Sequence, residues 1–535
     1  MRPFDSHGAF APAAEADQLR RLSVKGAGAS VFSSAAGLAI QIVATLWLAR
    51  LLAPADFGVV TMVTTFSLLL TSFGLNGFSE AILQREEISE GLVSNLFWIN
   101  LGAGLVLTLA LAACGPVLAW FYKNSHVTGV AAGMSATIFL TSLSVQHLAL
   151  LKRAMRFSSL AGLDISSRAA SVVVSIFLGW MGWGYWALVA GAIAQPVVTG
   201  VGAFWLCPWM PSLPRRVPGT GAMVRFALAI YGRFSVNYSA RNLDNVLVGW
   251  RFDARSLGFY KKAYDLFALS ASQLVAPLTV VAVAALSRLT KDAAQYRRYL
   301  LRALAMMAFL GMGMGADLTL VGQDMIRVLL GPGWEQAGRI FMFFGPGIGI
   351  MLIYNTHGWI HLSIGTPDRW FRWGIVEFVA TALLFLAGLP YGPVGIAIAW
   401  TVSFWLLTIP AFWYAGKPIG LGAGVFIGAV WKYLAASVVA GLVSAEIMHL
   451  MPLLAAMPEM QGAIARILTV SAIFTGFYIA GVVILHGGPE PVSQFLGLAR
   501  EMLPGRSTFN QASVMTVGKG GVSAGLSSGP LTQQD

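Results

Sequence analysis

The sequence predicts an all-α polytopic membrane protein with about fourteen transmembrane helices, in two parallel-related six-helix bundles plus two extra C-terminal helices. Composition, recurring apolar runs and an internal repeat lead to this fold class. Of the 535 residues, 57% are hydrophobic and 11% are charged, whereas a soluble domain averages about 25% charged residues. The mean hydropathy is +0.71. Most of the chain is therefore expected to lie in lipid.

The apolar runs recur at the length that a bilayer requires, roughly 20 residues for each crossing. Two very long runs are divided by Gly- and aromatic-rich stretches, "GWMGWGYW" (179–186) and "GLPYGPVG" (388–395), which suit turns at the membrane–water interface. The predicted helices lie near residues 28–50, 57–78, 93–120, 127–150, 160–180, 184–207, 222–249, 264–286, 302–321, 339–362, 371–389, 393–415, 423–447 and 463–486.

The net charge of +12 comes from basic residues spread along the chain, so we expect no nucleic-acid partner. If the sides alternate from a cytoplasmic N-terminus, most basic residues fall in cytoplasmic segments, which predicts that both termini are cytoplasmic. The cluster Arg251–Lys262 breaks this rule locally. It indicates either an error in the span count or a functional outer rim.

The predicted organisation follows from these assignments. The first 25 residues lack the apolar core and cleavage site of a signal peptide, and the chain ends in the Gly/Ser-rich "GKGGVSAGLSSGPLTQQD". The predicted segments are a cytoplasmic tail (1–25), a six-helix bundle (26–215), a second six-helix bundle (216–418), two additional transmembrane helices (419–490) and a largely disordered cytoplasmic tail (491–535).

An internal repeat connects the two bundles. Aligning "ARLLAPADFGVVTM" (49–62) with "GWRFDARSLGFYKKA" (249–263) at an offset of 200 residues pairs Gly58 with Gly258. Identity is weak, so a duplication or a chance match explains it. The same register pairs spans 1–6 with spans 7–12 in one orientation. Transporters built from such parallel repeats place the substrate between the halves, near the midplane of the bilayer.

Four segments carry a family resemblance: "LARLLAPADFGVVTM", "GFSEAILQREEISEGLVSNLFWIN" (77–100), "SARNLDNVLVG" (239–249) and "ALSRLTKDAAQYRRYLLRA" (285–303). They resemble bacterial polysaccharide flippases of the Wzx type, in the multidrug/oligosaccharidyl-lipid/polysaccharide exporter superfamily. The resemblance covers roughly residues 25–490. It implies a bacterial inner-membrane transporter that moves an undecaprenyl-pyrophosphate-linked oligosaccharide to the periplasmic leaflet by alternating access, without ATP hydrolysis.

The seventh span carries the first candidate site. Arg233, Asn237, Arg241 and Asp244 or Asn245 recur at helical spacing and share one face. An arginine near the centre of a transmembrane helix costs at least about 2.5–3.5 kcal/mol when it faces lipid, so this face should meet protein or water. A guanidinium group in such a place can bind phosphate. Alternatively, Arg241 and Asp244 neutralise each other, Arg233 reaches the membrane edge, or the span boundary is wrong.

Two further polar residues are candidates for the wall of the cavity. The repeat register places Gln41 of the first span opposite Arg241, where Gln41 either lines the cavity or bonds a neighbouring helix. Arg168 follows Asp164 by four residues, a spacing that favours a local ion pair. We therefore retain both as substrate-cavity candidates.

Glu377 is an isolated carboxylate within a predicted span, and it is a candidate for coupling transport to H⁺ or Na⁺. The alternative is a pair with Arg372, nearer the interface. His357 and His361, four residues apart, lack a metal-site pattern and indicate a packed or cavity-lining pair. The sequence predicts no cofactor and no metal.

Lys152, Arg153 and Arg156 form a basic patch at a cytoplasmic helix end. They act either as an orientation signal or as a site for anionic headgroups of membrane lipids. The expected partners are the lipid-linked oligosaccharide, membrane lipids and polysaccharide polymerase or export machinery.

Several alternatives can be weighed from the sequence. No GxxxxGK[ST] motif is present, which argues against direct ATP use. A cation-coupled multidrug exporter of the same superfamily fits twelve spans better than fourteen. A membrane polymerase or ligase needs a sizeable outer loop, and the predicted outer loops are short. A scaffold without transport activity does not explain arginines kept on a buried face.

Overall fold

The computed structural model describes residues 3–10, 16–85, 87–457 and 459–502. In these ranges the regular structure is helical, and strand pairing is limited to isolated bridges. The helices are α1 (Ala16–Leu51), α2 (Pro54–Ser72), α3 (Ser79–Gln84), α4 (Glu90–Tyr122), α5 (His126–Arg153), α6 (Phe157–Trp180), α7 (Tyr185–Leu206), α8 (Thr220–Arg251), α9 (Ala254–Arg288), α10 (Ala293–Leu330), α11 (Glu335–Asn355), α12 (His357–Ser363), α13 (Pro367–Gly388), α14 (Gly392–Gly416), α15 (Ala423–His449), α16 (Pro452–Ala455), α17 (Glu459–His486) and α18 (Glu490–Met502).

The predicted all-α membrane fold is confirmed. Within the described residues, 11 stretches are long and apolar enough to cross a membrane, and one of them, Pro367–Ile419, contains both α13 and α14. The long helices α8 and α9 are not among these stretches, and both are rich in charged residues. The chain is thus a multi-pass membrane protein, and the count of fourteen spans stays a prediction.

The N-terminal segment, predicted as a cytoplasmic tail, begins with a short hairpin. Residues 3–10 form a hairpin, closed by a bridge between Phe4 and Phe10 and docked on the start of α4, where the Glu90 amide donates to the Gly8 carbonyl (2.8 Å). Phe4 packs on Trp209 with ring centroids 5.9 Å apart. This aromatic contact anchors the beginning of the segment that the sequence predicts as a cytoplasmic tail.

The chain termini differ from prediction in two other ways. Helix α1 begins at Ala16, inside the segment predicted as tail. At the other end, α18 occupies Glu490–Met502, where the sequence predicts the start of a disordered tail. The rest of that predicted tail, residues 503–535, lies outside the described residues.

Helix α9 begins ten residues before the predicted eighth span. The Asp253 carboxylate caps it by accepting a hydrogen bond from the Ser256 amide (2.7 Å). Lys261 and Lys262 therefore lie inside a helix. The predicted span begins at residue 264, so both lysines fell outside it, and the side of the membrane on which they lie stays a prediction.

Helices α2 and α9 cross with their backbones in direct contact. A Cβ atom added to Gly58 would lie 1.7 Å from the Ala254 carbonyl oxygen, and one added to Gly258 would lie 1.8 Å from the Pro54 carbonyl oxygen. These two contacts are related by the 200-residue offset of the sequence repeat. The repeat thus appears in three dimensions as a reciprocal helix crossing between the two halves.

The helices beyond the repeat are attached to α10 by polar contacts. Arg466 of α17 forms a two-pronged ion pair with Asp324 of α10 (2.5 and 2.8 Å). Further along the same two helices, the Ser471 hydroxyl donates to the Asp317 carboxylate (3.0 Å). These contacts join α17 to α10 through paired charges, as is usual for charged residues within apolar helices.

Candidate functional site

Three adjoining cavities follow one another along α1, the first within the first half and the other two between helices of the two halves. The vestibule, about 1510 Å³ in volume, lies beside the N-terminal hairpin and shares Ser33 and Asp164 with the central cavity, which is about 570 Å³. The central cavity in turn shares Leu38 and Leu266 with an apolar cavity of about 310 Å³. Together they form a path that is polar and wide at one end and narrow and apolar at the other.

The first half contributes an ion pair to the central cavity. Arg168 Nε lies 2.9 Å from Asp164 Oδ1, four residues away on α6. The other carboxylate oxygen of Asp164 accepts a hydrogen bond from the Ser33 hydroxyl of α1 (2.9 Å). The local pair that the spacing favours is present, and Arg168 also lines the cavity. Asp164 is thus neutralised by its own helix.

The second half contributes Lys262 and Asp265 of α9. Asp265 is paired with Lys261 at 2.7 Å. The Lys262 ammonium instead lies 4.1 Å from the centroid of the Phe57 ring, on α2 of the other half. None of the three ion pairs found in the described ranges includes Lys262. Lys262 is therefore a cation of the cavity lining that belongs to none of these ion pairs, although Asp265 lies within electrostatic range.

Gln41 of α1 is exposed and lines the central cavity, one of the two roles that the sequence leaves open for it. Arg241, its counterpart in the repeat, is exposed on α8 but is not among the residues that line the three cavities. The side chains of Arg233 and Asn237 lie outside the described part of the structure. The repeat register therefore relates Gln41 and Arg241 without bringing both to one described cavity.

Asp244 and Asn245 lie in the interior of the second half. The Asp244 carboxylate is fully buried and accepts hydrogen bonds from the Tyr260 hydroxyl (2.7 Å) and the Trp400 indole (2.9 Å). Asn245 is also buried, with its amide 3.3 Å from Asn242 Oδ1. The prediction that these two residues share a cavity face with Arg241 is not what the structure shows, because neighbouring helices cover them. Arg241 and Asp244 do not form an ion pair.

Glu377 lies on α13, half-buried, beside the Tyr354 hydroxyl and within electrostatic range of Arg241. Its neighbours are therefore on other helices, rather than Arg372 on its own helix. Tyr354 is fixed in turn by the Trp373 indole, which donates to its hydroxyl (2.9 Å), and its carbonyl lies 2.6 Å from His357 Nδ1. This second polar cluster belongs to the second half alone.

The three residues of the basic patch, Lys152, Arg153 and Arg156, have different surroundings. Lys152 and Arg153 both line the vestibule. Arg153 Nη1 donates to the Ile82 carbonyl (2.8 Å) and the Arg85 carbonyl, and its guanidinium covers the Phe10 ring at 5.3 Å. Arg153 thus ties α5 to the end of α3 and to the hairpin. Lys152 and Arg156 are exposed.

Sequence comparison places the chain in a family. A profile described as polysaccharide biosynthesis protein matches residues 47–339. The chain belongs to this polysaccharide biosynthesis protein family. The matched region contains the reciprocal crossing, the seventh-span arginines and Lys262. The resemblance drawn from the four sequence segments is thereby confirmed at the level of the family.

Several relatives with names related to this family align over most of their length. The chain is 22% identical to the teichuronic acid biosynthesis protein TuaB of Bacillus subtilis, with 69% of this chain and 77% of TuaB covered. It is 19% identical to the lipopolysaccharide biosynthesis protein WzxC of Escherichia coli (77% and 85%). It is 22% identical to the succinoglycan biosynthesis transport protein ExoT of Rhizobium meliloti (70% and 76%).

Comparison with solved structures shows that this protein shares the fold of known transporters. The lipid II flippase MurJ, in an inward closed conformation, superposes with a TM-score of 0.66 at 14% identity, over 85% of this chain and 98% of MurJ. An inward-facing multidrug resistance MATE transporter of the MOP superfamily superposes with a TM-score of 0.59 at 12% identity, over 71% and 94%. At these identities the likeness establishes the fold.

Sequence reasoning missed Lys262 and Asp265 as cavity residues of this family member. A signal was present, since Lys262 follows Gly258 by four residues and so lies on the helix face that meets α2. The prediction overlooked Lys262 because it began the eighth span at residue 264, and it did not single out Asp265 within that span. In a transporter, charged residues within a span are themselves the functional signal.

Proposed function

We propose that this protein translocates an undecaprenyl-pyrophosphate-linked oligosaccharide from the cytoplasmic to the periplasmic leaflet of the bacterial inner membrane, for exopolysaccharide or lipopolysaccharide biosynthesis. Membership of the polysaccharide biosynthesis protein family supports this, as do relatives named for lipopolysaccharide biosynthesis and succinoglycan transport. The fold shared with a lipid II flippase supports the same class of substrate. The protein then acts as a transporter by alternating access.

The observation that carries the proposal is the charge of Lys262 in a cavity between the two halves. Asp164 and Asp265 are each paired with a cation of their own helix, Arg168 and Lys261, which leaves the Lys262 ammonium outside the ion pairs of the described ranges. A pyrophosphate supplies the complementary anion, and a lysine ammonium binds phosphate as a compact point charge. Because Lys262 also contacts Phe57 of the other half, a ligand bound to Lys262 would lie next to residues of both halves.

The vestibule suits the bulky sugar portion of such a substrate. Its volume of about 1510 Å³ exceeds the roughly 300–1,000 Å³ of a pocket for a drug-sized ligand. With both termini in the cytoplasm, as the distribution of basic residues favours, the vestibule opens toward the cytoplasm. We infer that the oligosaccharide enters there and that polymerase or export machinery on the other side consumes it.

Replacing Lys262 tests the proposal. In cells that lack the native gene, we expect Lys262→Gln to lower the rate of substrate translocation about 10- to 100-fold, the loss of one charge-assisted contact. Lipid-linked repeat units should accumulate in the inner leaflet, and Lys262→Arg should restore part of the rate. The measurement is the amount of lipid-linked intermediate accessible from each side of the membrane.

Lys291→Gln is the matched control, because Lys291 is exposed between α9 and α10. It should translocate substrate at the wild-type rate. If Lys262→Gln also does so, the anion site is elsewhere. If deletion of the whole gene makes intermediates accumulate on the periplasmic face, the protein is a polymerase or ligase and the proposal fails.

A further inference from the structure

The linker between the two halves (residues 207–219) is fixed along the start of α4. The buried Asn95 side chain pairs with the backbone of Arg215 in both directions. Its amide donates to the Arg215 carbonyl (2.6 Å), and its oxygen accepts from the Arg215 amide (3.0 Å). The Trp98 indole donates to the Ser212 carbonyl (2.9 Å). The backbone that carries Arg215 and Arg216 is therefore held in a defined position on α4.

Beside this fixed backbone lies a groove of about 830 Å³, which shares Pro218 with the vestibule and no lining residue with the other two cavities. Its lining includes Arg215 and Arg216 but no aspartate or glutamate. Thr220, also in the lining, opens α8, and the N-terminal end of a helix carries a partial positive charge. Two guanidinium groups and a helix N-terminus thus favour an anion at the same place.

The same groove has an apolar side. Trp98 and Ile99 line it and are 37% and 38% exposed, while Met210 and Leu213 of the linker are 76% and 75% exposed. Apolar side chains followed by arginines along a linker are typical of the membrane–water interface, where tryptophan is enriched and arginine extends toward headgroups. A soluble anion would leave this apolar surface in contact with water.

We propose that the groove is a binding site for an anionic phospholipid of the surrounding membrane. The lipid phosphate lies between Arg215 and Arg216 at the start of α8, and the upper part of an acyl chain packs on Trp98 and Ile99. This lipid site does not rest on the proposed anion site at Lys262, since the groove shares no residue with the central cavity and meets the vestibule only at Pro218. It places a lipid on the segment that connects the two halves.

Lipid binding to the purified full-length protein tests the site. Native mass spectrometry with added phosphatidylglycerol, and separately with phosphatidylcholine, gives the apparent affinity for each lipid. Removing both charges with R215Q/R216Q should weaken phosphatidylglycerol binding on the order of 10- to 30-fold, from about one headgroup interaction per arginine. Phosphatidylcholine binding should change little.

The double variant R297Q/R298Q is the matched control, because it removes two adjacent exposed arginines from α10. Retained phosphatidylglycerol binding in this control supports a local site. An equal loss in both variants means that net charge alone attracts the lipid, which overturns the proposal. Unchanged binding in R215Q/R216Q also overturns it. If glycerol phosphate without acyl chains displaces phosphatidylglycerol at equal concentration, the groove binds a soluble anion and the proposal is wrong.

Discussion

At the scale of single residues, Arg241 and Asp244 show that two residues on one helix face can have different environments. The two residues are three apart on α8, so they share a face in any helical wheel. In the folded chain Arg241 is exposed, whereas Asp244 is buried under Tyr260 and Trp400. Asp244 therefore acts as an acceptor for buried donors of other helices, a role that its own helix does not reveal.

Asp244 should be important for stability. We expect Asp244→Ala to leave the Tyr260 hydroxyl and the Trp400 indole without their acceptor, at a cost of about 1–3 kcal/mol for each group. Asp244→Asn keeps an acceptor oxygen and should lose less. Thermal unfolding of the purified protein measures both variants. A melting temperature equal to the wild type in Asp244→Ala would show that the hydrogen bonds carry no net stability.

At the scale of elements, the crossing of α2 and α9 is the feature that joins the halves most closely. Each helix offers a glycine near its first turn to a backbone carbonyl of the other. Because the contacts are reciprocal, the two halves meet around a local two-fold relation at this point. Any motion that moves the two halves apart at this point must separate the two helices.

Alanine at either glycine should force that separation. An added Cβ lies within 2 Å of a carbonyl oxygen at both Gly58 and Gly258, and a backbone atom cannot rotate away as a side chain can. We expect Gly58→Ala and Gly258→Ala each to lengthen the distance between spin labels at Ala53 and Arg255, in a background without native cysteines. Gly441→Ala, where an added Cβ meets nothing within 4 Å, should leave the distance unchanged. Identical distance distributions in all three variants would argue against a tight crossing.

At the scale of the whole molecule, the charged groups of the two halves are arranged differently. The first half presents Asp164 and Arg168 to the cavity, next to Lys262. The second half keeps Glu377, Tyr354 and Arg241 together in a cluster of its own. We propose that this cluster couples transport to an H⁺ or Na⁺ gradient, since a half-buried carboxylate within a span is a recurring site for such coupling.

Glu377→Gln tests this coupling in proteoliposomes. Wild-type protein should translocate lipid-linked substrate faster when a proton or sodium gradient is imposed, and Glu377→Gln should lose most of that acceleration while retaining exchange without a gradient. The carboxamide removes the charge and keeps the size of the side chain. Glu446→Gln, at an exposed position of α15, should respond as the wild type does. A full gradient response in Glu377→Gln would exclude this residue as the coupling site.

The sequence by itself determined the membrane class, the succession of apolar helices, the repeat that pairs Gly58 with Gly258 and the Asp164–Arg168 pair. All of these depend on composition or on spacing within one or two helices, and such local patterns are readable from one chain. For Gln41 it left two roles open, lining the cavity or bonding a neighbouring helix.

Only the tertiary structure decided which charges meet the cavity. It brought Lys262 beside Phe57, buried Asp244 under two aromatic donors, gave Glu377 neighbours on other helices and docked the N-terminal hairpin on α4. Each of these outcomes depends on residues far apart in the chain. Periodicity fixes the face of a helix on which a residue lies, but the helices packed against that face determine whether it meets ligand, lipid or protein.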